Sequence, residues 1–199
     1  MMARHVARGA DHGWIEPLPG LLKRQIIHAE IVLTHADILV ETGTYMGDTP
    51  WYFRKKLAKI YTIEVEPSLA RVAMDRFRNW GNVRVITGDS PSVFPTILPS
   101  LEGRVLFWLD GHYSAGITGK GAKECPLFDE LEMIYKHCQC PKTILIDDFR
   151  LFGSDKAYPS IGELREYLRQ YDMDIRWAND IIHVCKYGDI DSTRRDLNG

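Results

Sequence analysis

Carboxylates close five strand-sized segments of this chain, and their spacing is the first feature with chemical meaning. DILVE runs into Glu41-Thr42-Gly43-Thr44-Tyr45-Met46-Gly47, KIYTIEV ends in Glu64-Val65-Glu66, and NVRVITG leads to Gly88-Asp89-Ser90. RVLFWLD ends in Asp110-Gly111-His112-Tyr113, and KTILIDD in Asp147-Asp148. The formal net charge is only −2, so this gathering is local rather than a by-product of an acidic composition. Like charges brought together raise the free energy unless a cation or a donor-rich ligand stands between them. Gly43 and Gly47 let the backbone turn sharply and approach a bound group. A carboxylate at Glu64 can accept hydrogen bonds from both hydroxyls of a ribose, and would repel a 2′-phosphate. The dinucleotide fingerprint GxGxxG is absent, because position 45 is tyrosine.

The elements that must position these residues alternate along the chain. A Pro/Gly-rich lead-in precedes LLKRQIIHAEIVLTHA, whose apolar residues recur at helical spacing. Helices are expected at TPWYFRKKLA, at PSLARVAMDRFRNW with Leu69, Val72, Ala73 and Phe77 on one face, and briefly over Pro91 to Leu98. CPLFDELEMIYKHC presents Leu127, Leu131, Ile134 and Cys138 as one stripe, and a last helix is expected around Ile161 to Tyr171. MDIRWANDIIHVCKY reads as two strands joined by a tight Ala-Asn-Asp turn. The expected fold is α/β: a doubly wound, Rossmann-like, mostly parallel seven-stranded sheet with a C-terminal antiparallel hairpin and helices on both faces. In such sheets ligands bind at the carboxyl ends of the strands, where the acids stand.

A chain of 199 residues suits one domain, divided as lead-in 1–20, helix 21–36, core 37–187 and tail 188–199. The near-neutral charge gives no support for nucleic acid or an anionic membrane as a partner. No apolar run approaches the length of a bilayer span, and no apolar stretch follows the N-terminal arginines, so the expected location is the cytoplasm. The four cysteines include a Cys138-x-Cys140 beside His137, but no second pair follows at zinc-site spacing, so ordinary thiols are expected. GITGKGAK is not a phosphate-binding loop, because Ser114 and Gly121 replace its required residues.

Between Asp37 and Tyr187 the sequence resembles the class I S-adenosylmethionine-dependent methyltransferases, most visibly in the Glu41–Gly47 stretch, YTIEVEP and ITGDS. That resemblance implies S-adenosyl-L-methionine as cofactor. Its contacts would be Glu41, Thr42, Gly43, Thr44, Tyr45, Gly47, Asp48 and Thr49 around the amino-acid portion. Glu64 and Val65 would lie at the ribose, Gly88, Asp89 and Ser90 by the adenine, with Asp110 at the fourth strand end. Asp110, Asp147 and Asp148 are similar to the divalent-metal site of the catechol, caffeoyl-CoA and macrocin-type O-methyltransferases. Three hard oxygen ligands suit Mg²⁺ rather than zinc. The implied activity is O-methylation of a hydroxyl on a small molecule or sugar. Asp110 and His112 would be catalytic: the histidine follows the acid closely enough to act as general base, or else only bonds its own loop.

Simpler roles compete with these. The acids can pair with Arg150, Lys120 or Lys123, and Trp51 and Trp108 read as core. Lys120 and Lys123 can recognise an anionic acceptor or simply be solvated, while Tyr45, Tyr52 and Tyr113 can wall a pocket. The loop from Gly111 to Lys123 and the segment before Leu21 are the candidates for acceptor recognition. A nicotinamide-dependent oxidoreductase would explain Glu64 but not the acids of strands four and five. A non-catalytic binding module would leave the repulsion of those acids uncompensated.

Overall fold

The structure, a computed structural model, describes residues 16–110 and 125–187. In chain order its elements are α1 (Gly20–Thr34), β1 (Ile38–Thr42), α2 (Asp48–Phe53), β2 (Lys59–Glu64), α3 (Pro67–Phe77), β3 (Val83–Thr87) and α4 (Ser90–Ile97). Then follow β4 (Val105–Leu109), α5 (Leu127–His137), β5 (Lys142–Ile146), α6 (Ile161–Arg169), β6 (Met173–Ala178) and β7 (Ile181–Lys186). The sheet order is β3-β2-β1-β4-β5-β7-β6. Strands β1 to β5 are parallel, and β7 joins β5 antiparallel and carries β6 at the edge. Asn179 and Asp180 both adopt positive φ in the β6–β7 turn, the geometry that two-residue hairpin turns favour.

The strands alternate between two cores. Val40, Phe107 and Ile146 pack on one side with α4, α5 and α6, while Leu39, Leu106, Trp108 and Leu145 pack on the other with α1, α2 and α3. Strand side chains point to alternate faces. Glu41, Asp110 and Asp147 therefore share the parity of Leu39, Trp108 and Leu145, and all three lie on the α1 side.

Two packing expectations need correction, those for Val72 and Trp51. Val72 is exposed, and the buried face of α3 is Leu69, Ala70, Ala73 and Phe77. In α1 only Ile27 and Ile31 are buried, while Leu21, Leu22, Val32 and Leu33 face outward. Trp51 is on the surface, because the short α2 turns Pro50 and Phe53 inward and leaves the indole beneath Arg54, whose guanidinium lies 3.5 Å from the ring centroid. Trp108 is in the core, as expected.

Candidate functional site

The register of three neighbouring strands builds the site. Glu41 lies opposite Trp108 in the β1–β4 ladder, and Leu109 opposite Ile146 in the β4–β5 ladder. One residue further on, Asp110 and Asp147 stand side by side at the strand ends. Their amides still hold the sheet, with Asp110 N–H donating to the Thr42 carbonyl at 3.3 Å and Asp147 N–H to the Leu109 carbonyl at 3.0 Å. Adjacent strands are about 4.8 Å apart, so the two carboxyl groups are forced together by the sheet itself.

Burial makes that neighbourhood electrostatically expensive. Desolvation, with the Asp147 charge adding to it, pushes the Asp110 carboxyl well above its usual range, and Lys23 opposes the shift. Asp147 is raised too, by burial and then by Asp148, again against Lys23. Lys23, one and two turns before Ile27 and Ile31 on the inner side of α1, reaches the Asp147 carboxylate in a very short ion pair and lies 3.4 Å from Asp148. Burial lowers its pKa, but the three carboxylates more than reverse this and hold the ammonium charged. Asp148 adopts a left-handed backbone with φ of 61°, and Arg150 pairs with it at 2.5 Å while also bonding Asp180. The Arg150 pairing was an expected alternative; the Lys23 pairing was not.

The loop after β1 is equally specified. Gly43 and Gly47 take φ of 82° and 75°, and even Tyr45 is left-handed at 46°. The Tyr45 N–H donates to Glu64 at 2.7 Å, and the Glu66 N–H donates to the other Glu64 oxygen at 3.0 Å. Both bonds leave lone pairs on that carboxylate for a ligand. Glu41 is buried and accepts from the Thr62 hydroxyl at 2.6 Å, which in turn lies 2.6 Å from the Thr44 hydroxyl. Burial, against the help of Thr62 and Thr49, pushes Glu41 up to about 8.

A cleft of about 220 Å³ lies over these residues. Its lining includes Glu41, Gly43, Thr44, Tyr45, Asp48, Thr49 and Asp110, which the sequence had singled out. It also includes Leu18, Gly20, Lys23 and Arg24, which α1 and the lead-in bring across from the N-terminal side. Glu64 borders the same loop through Tyr45, with Val65 half-buried beside it. Asp89 follows β3 at the start of α4, after Gly88 with φ of 150°. Ser90 is instead turned inward, where its hydroxyl donates to Glu130 of α5. Thr42 is buried in the sheet with its hydroxyl toward the Asp110 amide. His112, Tyr113, Lys120 and Lys123 lie outside the described residues.

Gly47 gives a direct test of the loop geometry. A β-carbon there would stand 2.8 Å from the Phe77 ring, in a backbone region that side chains rarely adopt. Gly47→Ala should therefore destabilise the protein by about 1–3 kcal/mol. A lowered urea midpoint with an unchanged slope would report this.

Solved structures share this architecture, two methyltransferases among them. The O-methyltransferase TomG from Streptomyces achromogenes, involved in tomaymycin synthesis and solved with S-adenosylmethionine, superposes with a TM-score of 0.57 at 17% identity, over 84% of this chain and 80% of that one. The S-adenosylhomocysteine-bound methyltransferase PaMTH1 from Podospora anserina gives 0.57 at 16% identity, over 85% and 80%. The chain has the class I methyltransferase fold. No family model matches it. Curated proteins similar to it carry the name "Probable ribosomal RNA small subunit methyltransferase A". That of Thermococcus onnurineus is 33% identical over 143 residues, which are 72% of this chain and 52% of that protein. That of Methanosarcina barkeri is 39% identical over 77 residues, 38% and 26% respectively. The chain thus spans about half or less of these relatives. Their RNA-directed names overturn the expectation that nucleic acid has no part here, which rested on net charge. A charge sum over a methyltransferase fold says nothing of what a local surface or a loop can hold. Among the described residues no helix is long and apolar enough to cross a membrane.

Proposed function

We propose that this chain transfers a methyl group from S-adenosylmethionine to a hydroxyl oxygen of an acceptor, such as a small molecule or sugar, held at the Asp110–Asp147 rim. The observation that carries the reading is the convergence of Glu41, Asp110 and Asp147 at three adjacent strand ends, beside a loop bent by Gly43 and Gly47. In this arrangement the Glu41–Thr49 loop encloses the amino-acid portion of the cofactor, Glu64 accepts from the ribose hydroxyls, and Asp89 lies by the adenine. The cofactor carries its own leaving group, so the protein's task is to align the acceptor oxygen behind the methyl carbon and to remove its proton. His112 is our candidate for receiving that proton.

The donor set fits a hard divalent cation. Asp110, Asp147 and Asp148 can each offer a carboxylate oxygen, and these atoms lie within 4.8 Å of one another. The site already attracts a cation, since Lys23 places its ammonium there. Bound at these three residues, Mg²⁺ would lower the pKa of an acceptor hydroxyl. The four free thiols suit the reducing cytoplasm as its place of work.

A second acceptor class has its own support, in the names of the curated relatives. Methyl-labelled S-adenosylmethionine offered with a panel of hydroxyl compounds and, separately, with small-subunit ribosomal RNA decides between them. Mg²⁺-dependent label in a hydroxyl compound is the expected result. Label in RNA alone favours the second reading, and label in neither removes the proposed activity.

A further inference from the structure

The cleft contains two cations among its described lining residues, Lys23 and Arg24, adjacent on α1. Lys23 is committed to Asp147 and Asp148. Arg24 is not committed: no described side chain forms an ion pair or hydrogen bond with its guanidinium. It is half-buried, and it lies back against the helix start, where a β-carbon on Gly20 would come within 3.1 Å of its Nη1. The absence of a side chain at position 20 thus leaves the guanidinium room at the cleft wall. Glu41 lines the same cleft, and Arg24 favours its charged form through space. The cleft therefore offers a carboxyl group and an open guanidinium fork. A zwitterion carrying an ammonium and a carboxylate on one carbon is the complementary ligand.

We propose that Arg24 receives the carboxylate of the cofactor's amino-acid portion while Glu41 faces its ammonium, an assignment that rests on the S-adenosylmethionine reading above. Arginine suits this role because its planar fork matches a carboxylate with two parallel donors. Helix α1 then belongs to the cofactor site, although it precedes the sheet that forms the rest of it.

Two ligands isolate the interaction. S-adenosylhomocysteine has the carboxylate, and its decarboxylated counterpart keeps the adenosine, thioether and amine without it. Calorimetry on the full chain should find that Arg24→Gln weakens S-adenosylhomocysteine about 10–100-fold, the loss expected for a charge-assisted bond. The decarboxylated ligand should bind wild type and variant within about twofold, and Arg24→Lys should restore part of the lost affinity. Equal loss for both ligands, or no loss for either, overturns the assignment. So does a folded wild type that binds both ligands equally tightly. A folded wild type that binds neither removes the cofactor reading itself, and Arg24 with it.

Discussion

Asp147→Asn is expected to slow methyl transfer on the order of 10²–10³-fold while S-adenosylhomocysteine still binds. Asp147 ends the strand beside that of Asp110 and two strands from that of Glu41, and it faces the acceptor in the reading proposed above. Asparagine keeps the acceptor that the Asp148 N–H bonds at 2.8 Å, so the local turn survives. It removes the charge that Lys23 and a divalent ion both need. The wild-type rate should also vanish with a chelator and return with Mg²⁺. Removing one partner of a buried ion pair can itself cost several kcal/mol. Asp110→Asn, at the half-buried rim, supplies the independent variant, and thermal unfolding separates lost folding from lost chemistry. Undiminished turnover in excess chelator would end the metal role and leave these acids as partners of Lys23 and Arg150.

The second large effect is a pH dependence of cofactor binding centred on Glu41. Its carboxyl in the unliganded protein is pushed up to about 8, chiefly by burial. An ammonium arriving beside it favours the charged form and draws that pKa down, so binding releases a proton. Affinity for S-adenosylhomocysteine should therefore rise with pH, by roughly tenfold per unit through the range below 7, and level off above about 8. The sign for stability is opposite. The folded, unliganded chain keeps a proton that the unfolded chain has already lost. The contribution is thus full below the unperturbed carboxyl value and disappears as pH rises through about 8. Glu41→Gln should flatten both profiles. Calorimetry in two buffers of different ionisation heat would count the released proton, and a pH-independent affinity in wild type would detach Glu41 from the ligand.

Much of the sheet was legible because parallel strands buried on both faces read as short apolar runs, and each here ends in a polar stretch. The stripe Leu127, Leu131, Ile134 and Cys138 was legible for the same reason, and all four side chains are buried. What the sequence did not disclose was the role of α1. Its inner face is set by Lys23, Ile27 and Ile31, so a lysine occupies a core-facing position, and its partner is 124 residues away. No local pattern encodes such a pairing. A lysine four residues before the first buried isoleucine was the available hint, meaningful only once the acids had been placed on the same side of the sheet. Trp51 misled because a large aromatic usually signals core, whereas here it stays on the surface with Arg54 and Arg76 against its ring. Ser90 lay beside the expected adenine position in sequence, yet a partner on α5 draws it inward. The acceptor class was the least legible feature, since net charge is a property of the whole chain and recognition belongs to a surface.

The cleft lined by Glu41 and Asp110 is expected to bind S-adenosylmethionine. Parallel calorimetric titrations of the full chain with S-adenosylhomocysteine and with NAD test it most directly. Saturable, one-to-one binding of S-adenosylhomocysteine is expected, weakened about 10–100-fold by Glu64→Gln through its ribose bonds, with no binding of NAD. Saturable binding of NAD with no heat from S-adenosylhomocysteine would contradict it.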